Sequence, residues 1–218
     1  NPKQFNNKKD LKSYPRNIKK DLKILKKSKK VDFVYLPKFK DIYNDRKKSK
    51  IKLLKKDKIL CAKFRKGHFE GVLDVMNRLT KIVNPQKIFM GEKDYQQLYL
   101  IKKLLEKKYK AKIIPCKTIR DRNKVALSSR NFLLNKSNLE TAAIIYKKLV
   151  KIKKDIIKKK NTSTFLKLQK VELTNKFKIK IDYLELRNSN NLKISNTWKN
   201  SRLFIAYYLS NVRLIDNL

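Results

Sequence analysis

Residues 87–115 read KIFMGEKDYQQLYLIKKLLEKKYKAKIIP, and this stretch decides the fold. Residues 87–90, of which the last three are apolar, predict a strand. Residues 94–108 predict a helix, and residues 111–115 predict a second strand. A strand, a helix and another strand in succession indicate a parallel pair joined by a crossover. Ligands of such sheets bind beyond the carboxyl ends of the strands, so Gly91 marks the place where we expect a site.

The residues before this stretch extend the alternation of helices and strands. Residues 15–27 carry apolar side chains at helical spacing, and residues 31–36 form a short apolar run. The run predicts a parallel strand buried on both faces. Residues 68–83 place apolar side chains on one helical stripe, which ends at Asn84 before Pro85. The alternation predicts an α/β fold with a doubly wound parallel sheet.

The second half of the chain follows a different order. Two long helices come first and three strands follow them, at residues 138–159, 162–176, 181–186, 203–209 and 212–215. Helices followed by strands indicate a separate α+β unit. We therefore predict two domains, residues 1–119 and residues 120–218.

The composition is that of a globular protein with an unusual charge. Of 218 residues, 41% are hydrophobic, which is enough to bury a core. The net charge of +41, from 59 Lys and Arg against 18 Asp and Glu, would suggest a nucleic-acid partner. Lysine is spread along the chain and outnumbers arginine, whereas nucleic-acid surfaces concentrate charge and favour arginine. We therefore favour compositional drift and expect no specific nucleic acid, with a basic nucleic-acid-binding protein as the alternative.

Cysteine usage and hydropathy constrain the location. Cys61 and Cys116 are too few and too far apart for a disulfide framework or a zinc site. No stretch approaches the roughly 20 apolar residues that a membrane span needs, and the first residues are polar. We expect a cytoplasmic protein with no membrane partner.

Residues 90–97, MGEKDYQQ, place polar side chains directly after a predicted strand. Gly91 lets the backbone approach a ligand closely, Lys93 would neutralise a phosphate, and Asp94 would accept bonds from ribose hydroxyls. The plainer interpretation is an ordinary turn in which Asp94 caps the following helix. Taken alone, the segment favours neither.

Two further segments carry side chains suited to chemistry. Residues 127–131, LSSRN, offer adjacent hydroxyls and a guanidinium, which suit a polyphosphate. Residues 65–71, RKGHFEG, contain the only histidine of the chain beside two of its three glycines. A histidine at a helix start is more often structural than catalytic, but its scarce glycine neighbours favour a functional turn.

These segments, in this order, resemble the pantothenate synthetase family, the ligases that join pantoate to β-alanine. The resemblance covers the whole chain, and ordered motifs of this kind are more specific than any single one. The matching stretches are 1–5 (NPKQF), 14–16 (YPR), 31–32 (VD), 67–72 (GHFEGV), 91–98 (GEKDYQQL), 127–131 (LSSRN), 182–187 (DYLELR) and 213–217 (RLIDN).

The resemblance implies a Rossmann-like parallel sheet of the nucleotidyltransferase type, with a smaller C-terminal α+β domain that closes over ATP. It also implies a reaction in two steps. Pantoate attacks the α-phosphate of ATP to form pantoyl adenylate, and β-alanine then displaces AMP. ATP would act with Mg²⁺, and family members are homodimers.

Site residues follow from the resemblance position by position. Catalytic roles are implied for Lys93, Ser128, Ser129, Arg130 and His68. Pantoate would be held by Gln4, Gln97 and Asn1. The ATP site would comprise Gly91, Lys93, Asp94, Ile119, Ser128, Ser129, Arg130 and Arg65. Asp21 matches an acidic position near a magnesium ion. The glutamines favour a small hydroxy acid, which distinguishes the family from other adenylyl- or cytidylyl-transferring enzymes of the same fold.

Departures from the family pattern affect the expected activity. The family's first strand and its turn with two histidines would lie before Asn1, so we expect a truncated ATP site and weak activity for residues 1–218. Cys61 and Ala62 stand where Glu and Gly are usual, and Lys66 replaces a usual Pro. Residues 123–125, NKV, replace the common Asp-Gly-Leu, and Leu127 a frequent Met. These changes would loosen turns beside the site.

Overall fold

The computed structural model describes residues 1–5, 11–12, 14–43, 49, 51–158 and 161–218. In chain order, its α-helices are α1 (Ile18–Ser28), α2 (Phe39–Ile42), α3 (Cys61–Phe64), α4 (His68–Val83), α5 (Tyr95–Lys108), α6 (Lys136–Ile156) and α7 (Thr162–Phe177). Its strands are β1 (Lys87–Gly91), β2 (Lys112–Cys116), β3 (Ile181–Asn188), β4 (Ser201–Leu209) and β5 (Val212–Asn217). Short 3-10 turns span Pro2–Gln4, Lys55–Asp57, Glu92–Asp94 and Ser129–Leu133.

Strands β1 and β2 form the predicted parallel pair. Their register runs from Lys87 opposite Lys112 to Gly91 opposite Cys116, and α5 makes the crossover between them. Helix α4 ends where its C-cap, Asn84, adopts the left-handed conformation. Asparagine tolerates that conformation well, and a following proline cannot continue a helix.

The second half of the chain contains the two predicted helices and three predicted strands. Strands β3, β4 and β5 form an antiparallel sheet in sequence order. The parallel sheet with helices and the smaller antiparallel sheet confirm the predicted fold class. The predicted division near residue 119 falls between β2 and α6, and the position of the domain boundary stays a prediction.

The antiparallel sheet is buried on both faces. Along β4, Leu203 and Ile205 pack into a core formed with helices α6 and α7. The alternate residues Phe204 and Ala206 pack into a second core with helices α3 to α5. Because side chains alternate across a strand, each face of β4 supports a different helical layer.

The predicted strand at residues 31–36 is absent, and this expectation was wrong. The segment has no regular secondary structure, and its side chains are exposed, Phe33 to 94%. A strand needs a neighbour to complete its ladder hydrogen bonds. Within the described ranges β1 and β2 pair only with each other, and residues 31–36 pair with neither strand.

None of the helices in the described part of the chain is both long enough and apolar enough to cross a membrane.

Candidate active site

Two adjoining cavities lie where β1 ends and β5 passes. The first, which we call the serine cavity, is lined by Ser128, Arg130 and Asn131 together with residues of α6 and β5. The second, the glutamine cavity, is lined by His68, Gln97 and residues of α3 to α5. Both cavities are lined by Arg65, Lys93, Asp94, Ile215 and Asp216. A ligand that spans the two cavities would therefore meet two cations and two carboxylates at their junction.

The turn after β1 places Lys93 and Asp94 at this junction. Asp94 occupies the N-cap position of α5, but its side chain makes no capping hydrogen bond. The plainer interpretation of Asp94 as a side-chain cap therefore fails, and its carboxylate lines both cavities instead. The ammonium of Lys93 makes no ion pair with any residue that the structure describes. Both side chains are thus available to a ligand.

Gly91 has open space where a side chain would be. A Cβ atom added there would meet no heavy atom within 4 Å, and its φ of −68° suits any residue. Neither packing nor backbone conformation therefore requires glycine at this position. The open space at the strand end is compatible with close approach of a ligand.

His68 and Arg65 form a fixed pair beside the glutamine cavity. His68 Nδ1 lies 2.7 Å from the carbonyl oxygen of Gln4, and its Nε2 lies 2.8 Å from Arg65 Nη1. A carbonyl can only accept and a guanidinium can only donate, so the ring is neutral and carries its proton on Nδ1. Burial and the Arg65 cation lower the pKa of His68 from 6.5 to about 4. The imidazole is neutral near pH 7 and has both nitrogens occupied.

The first residues of the chain are held against α4 by a close approach at Gly71. A Cβ atom at Gly71 would overlap the backbone carbonyl of Lys3 and press on the Cα of Gln4. Only glycine leaves room for the Pro2–Gln4 turn to lie against the helix. Together with the bond from His68, this contact fixes the backbone of Gln4 near the glutamine cavity.

The predicted Ser-Ser-Arg-Asn segment forms a 3-10 turn at the wall of the serine cavity. Ser128 Oγ accepts a bond from the Arg130 backbone nitrogen at 3.2 Å, which is the capping role of a serine. Asn131 Nδ2 donates to the Ala126 carbonyl at 3.1 Å, which anchors the turn. Ser129 Oγ donates instead to Tyr14 Oη at 3.0 Å and does not line the cavity.

The C-terminal sheet contributes groups that the sequence analysis missed. Asp216 lines both cavities and accepts a bidentate pair from Arg120, at 2.7 and 2.8 Å. The Arg120 guanidinium also lies over the Tyr146 ring, 4.3 Å from its centroid. Paired and stacked in this way, Arg120 ties the segment after β2 to β5.

A second missed group lies at the wall of the glutamine cavity, which Cys61 and Tyr183 line. Cys61 Sγ is 3.1 Å from Tyr183 Oη and 3.5 Å from Arg213 Nη1. Arg213 also pairs with the buried carboxylate of Asp182 at 2.8 Å. Burial, with Cys61 as the next cause, raises the pKa of Tyr183 well above its ordinary value. The cysteine that departs from the family pattern therefore packs into a polar cluster and is buried.

Most of the residues that the sequence singled out meet at the two cavities. Those that line one or both cavities are Arg65, His68, Lys93, Asp94, Gln97, Ser128 and Arg130. Gly91 immediately precedes the turn that carries Lys93 and Asp94. Gln4 is linked to the group by the hydrogen bond between its carbonyl and His68.

Four of the predicted residues lie apart from the cavity linings. Ile119 is 68% exposed, and its carbonyl already accepts the Leu127 backbone nitrogen at 2.9 Å. Asn1 caps the first 3-10 turn, and Ser129 faces Tyr14. Asp21 lies on the exposed helix α1. No group of three or more His, Cys, Asp or Glu side chains in the described ranges could hold a metal ion.

Solved structures with the same fold define the class of the protein. Pantothenate synthetase from Thermus thermophilus superposes with a TM-score of 0.90 at 27% identity, covering 100% of this chain and 80% of that one. Pantoate-beta-alanine ligase from Francisella tularensis, complexed with beta-gamma ATP and beta-alanine, gives 0.80 at 37% identity, covering 100% and 76%. The fold is therefore that of the nucleotidyltransferase-like α/β proteins.

Sequence comparisons narrow the class to one family. The model of the Pantoate-beta-alanine ligase family matches residues 1–218. Pantothenate synthetase of Flavobacterium psychrophilum is 36% identical, over 100% of this chain and 79% of that protein. The bifunctional pantoate ligase/cytidylate kinase of Prochlorococcus marinus is 42% identical, over 100% and 43%. This chain belongs to the pantoate-β-alanine ligase family.

Proposed function

We propose that the protein joins pantoate to β-alanine at the expense of ATP, through an enzyme-bound pantoyl adenylate. The observation that carries the proposal is the junction of the two cavities. Lys93, Asp94 and Arg65 line both, so they can contact a nucleotide on one side and an organic acid on the other. Family membership supplies the substrates, and the Francisella relative was solved with beta-gamma ATP and beta-alanine.

In the first step a carboxylate oxygen of pantoate attacks the α-phosphate of ATP, and pyrophosphate leaves. The serine cavity would receive the triphosphate, where Ser128 offers a hydroxyl and Lys93 and Arg130 offer positive charge. The pantoate carboxylate and the ATP phosphates are both anions that must approach each other. Charge neutralisation and positioning would therefore supply most of the rate enhancement. Asp94, one residue beyond Lys93, would accept hydrogen bonds from the ribose hydroxyls.

The glutamine cavity would receive pantoate. The amide of Gln97 can donate to a carboxylate and accept from a hydroxyl without adding charge. The backbone carbonyl of Gln4 is bound by His68, which lines the same cavity. We propose that His68 positions Gln4 and Arg65 and does not move a proton, because both ring nitrogens are engaged and its pKa is about 4. Asn1 would support the turn that carries Gln4.

In the second step the β-alanine amine attacks the acyl carbon of pantoyl adenylate. AMP leaves with the oxygen that came from the pantoate carboxylate, so no covalent bond to the protein is needed. Lys93 and Arg65, at the junction, would hold the adenylate while the amine enters.

Magnesium would enter with ATP, whose phosphates would supply most of its ligands. The described residues form no cluster of metal ligands, and Mg²⁺ is often held by substrate phosphates with one or two carboxylates. Asp21 stays a prediction from the resemblance, as does Ile119 at the adenine. A homodimer likewise rests on the resemblance, and light scattering of the purified protein tests it. A cytoplasmic location stays a prediction from cysteine usage and hydropathy.

The test is AMP release by the protein expressed from its complete reading frame, with ATP and magnesium present. We expect release only when pantoate and β-alanine are both supplied, and pyrophosphate release with pantoate alone at about one equivalent per site. Pantoate labelled with ¹⁸O in its carboxylate should transfer one labelled oxygen to AMP. Unlabelled AMP, or release without pantoate, would contradict the proposal.

A further inference from the structure

Asn217, at the end of β5, is buried and fully hydrogen-bonded. It is 3% exposed. Its Nδ2 donates to the backbone carbonyls of Glu92 and Lys93, at 2.9 and 3.0 Å. Its Oδ1 accepts from Arg202 Nη1 at 2.8 Å. One side chain of the antiparallel sheet thus holds two consecutive carbonyls of the turn that follows the parallel strand β1.

The chemistry of this contact fits asparagine and not aspartate. Two carbonyls need two N–H donors, and the guanidinium of Arg202 needs an acceptor, which together match a primary amide. A carboxylate at the same position would keep the bond to Arg202 but face two carbonyl oxygens. Because the contact is buried, that repulsion would not be screened by solvent.

Arg202 completes the contact from the neighbouring strand β4. Its Nη2 lies 2.8 Å from the carboxylate of Glu92, in addition to its bond with Asn217. Its guanidinium also lies 4.5 Å from the ring centroid of Tyr95, the first residue of α5. The turn from Glu92 to Tyr95 is therefore held by two side chains of the C-terminal sheet.

We propose that Asn217 is a positioning residue for the turn that carries Lys93 and Asp94. It fixes the carbonyls of the two peptide groups that flank the Cα atom of Lys93, and so sets the direction in which Lys93 and Asp94 enter the cavity junction. The proposal rests on the proposed function, in which those two side chains bind ATP. Its loss should weaken ATP binding and leave the KM for β-alanine unchanged, because β-alanine enters only after pyrophosphate has left.

The test compares Asn217→Asp with Asn211→Asp. The second variant makes the same chemical change at an exposed position of the β4–β5 turn, away from both cavities. We expect Asn217→Asp to raise the KM for ATP about tenfold, the effect of a lost and repelled hydrogen-bond pair. The KM for β-alanine should stay within about twofold, and Asn211→Asp should leave both constants unchanged. A folded Asn217→Asp protein with an unchanged KM for ATP would overturn the proposal.

Arg202→Met is the second variant, needed if thermal unfolding shows that Asn217→Asp does not fold. It removes the bond that orients the Asn217 amide, and we expect about a threefold rise in the KM for ATP. No rise would count against the proposal.

ATP affinity, measured by equilibrium titration without the other substrates, separates this inference from the proposed function. If the wild-type protein binds ATP but releases no AMP, the proposed function fails. The Kd for ATP still decides the role of Asn217, which is overturned if Asn217→Asp and wild type bind ATP equally.

Discussion

The two sheets of this protein differ in where they place burial and where they place chemistry. The parallel pair is short and open, and Phe89 in β1 is 66% exposed. The antiparallel sheet is buried on both faces, with Leu186 and Leu203 each at 1% exposure. Yet the turn with Lys93 and Asp94 follows the open sheet. The side chains proposed to bind substrates thus follow the more exposed sheet. The more deeply buried sheet contacts their turn through Asn217 and Arg202.

This difference predicts that mutations in the antiparallel sheet mainly lower stability, whereas mutations at the turn after the parallel sheet mainly lower catalytic activity. Burial supplies most of the free energy of folding, so the antiparallel sheet should dominate stability. Charge at the cavity junction should dominate turnover. Three mutational predictions test this division.

The largest effect is expected from Lys93→Ala, which removes one cation from the cavity junction. We expect kcat/KM to fall about a thousandfold, roughly 4 kcal/mol of transition-state stabilisation, as for other charge-stabilising donors. The free energy of unfolding should change by less than about 0.5 kcal/mol. The control is Lys87→Ala, at the exposed start of β1, the strand that precedes Lys93. It should change neither kcat/KM nor the free energy of unfolding. Comparable losses of kcat/KM in the two variants would show that the charge at the cavity junction is not what supports turnover.

Leu186→Ala should give the next largest effect, on stability. Truncating a fully buried leucine leaves a cavity, and we expect a loss of about 3 kcal/mol in urea unfolding. Phe89→Ala removes a larger side chain, but one that is mostly exposed, so its loss should stay below about 1 kcal/mol. Equal losses would mean that the two sheets do not differ in burial as described.

His68 gives the smallest effect, through pH. Its pKa is lowered from 6.5 to about 4, so the folded protein binds fewer protons than the unfolded chain between these values. The stability that it contributes is therefore complete above pH 6.5 and is lost as the pH falls towards 4. At 1.36 kcal/mol per pKa unit, the loss between about pH 7 and pH 4.5 is about 2 kcal/mol.

Urea unfolding of the wild type and His68→Asn at both pH values measures this contribution, since the other titrating groups cancel in the difference. Asparagine keeps a donor for the Gln4 carbonyl but does not titrate. An equal acid loss in both proteins would show that His68 is not the cause.

Much of the fold was predictable because local patterns agree with the final contacts. Residues 87–90, 94–108 and 111–115 had the lengths and apolar runs of a crossover unit, and the structure has that unit. Residues 31–36 had the same apolar signal without a ladder partner among the described residues, which composition cannot reveal. Strand formation depends on a neighbour, whereas an apolar run is a property of the segment alone.

The candidate site was predictable where its residues are close in sequence. Residues 90–97 and 127–131 carried recognisable sets of polar side chains, and the structure brings Lys93 and Ser128 to adjoining cavities. Asn217 and Arg120 carried no local signal, because each acts on a segment about 100 residues away. Pairings across such distances depend on the register of the strands, which periodicity does not determine.

The two adjacent glutamines illustrate the same limit. Gln96 is buried and donates to the backbone carbonyls of Asp57 and Ile59, so it braces the segment before α3. Gln97 is the one assigned to pantoate. Both are amides at the start of one helix and both line the glutamine cavity, but the amide nitrogen of Gln96 is engaged by two backbone carbonyls.

Gly71 has no conservative substitution. A single-nucleotide missense change in a glycine codon always introduces a residue with a Cβ atom, and here the Lys3 carbonyl occupies that space. A side chain at position 71 would thus displace the Lys3 carbonyl and, with it, the backbone of Gln4. In a mutational scan, substitutions at position 71 should therefore have effects like those at the proposed pantoate site, and unlike those at other positions of α4.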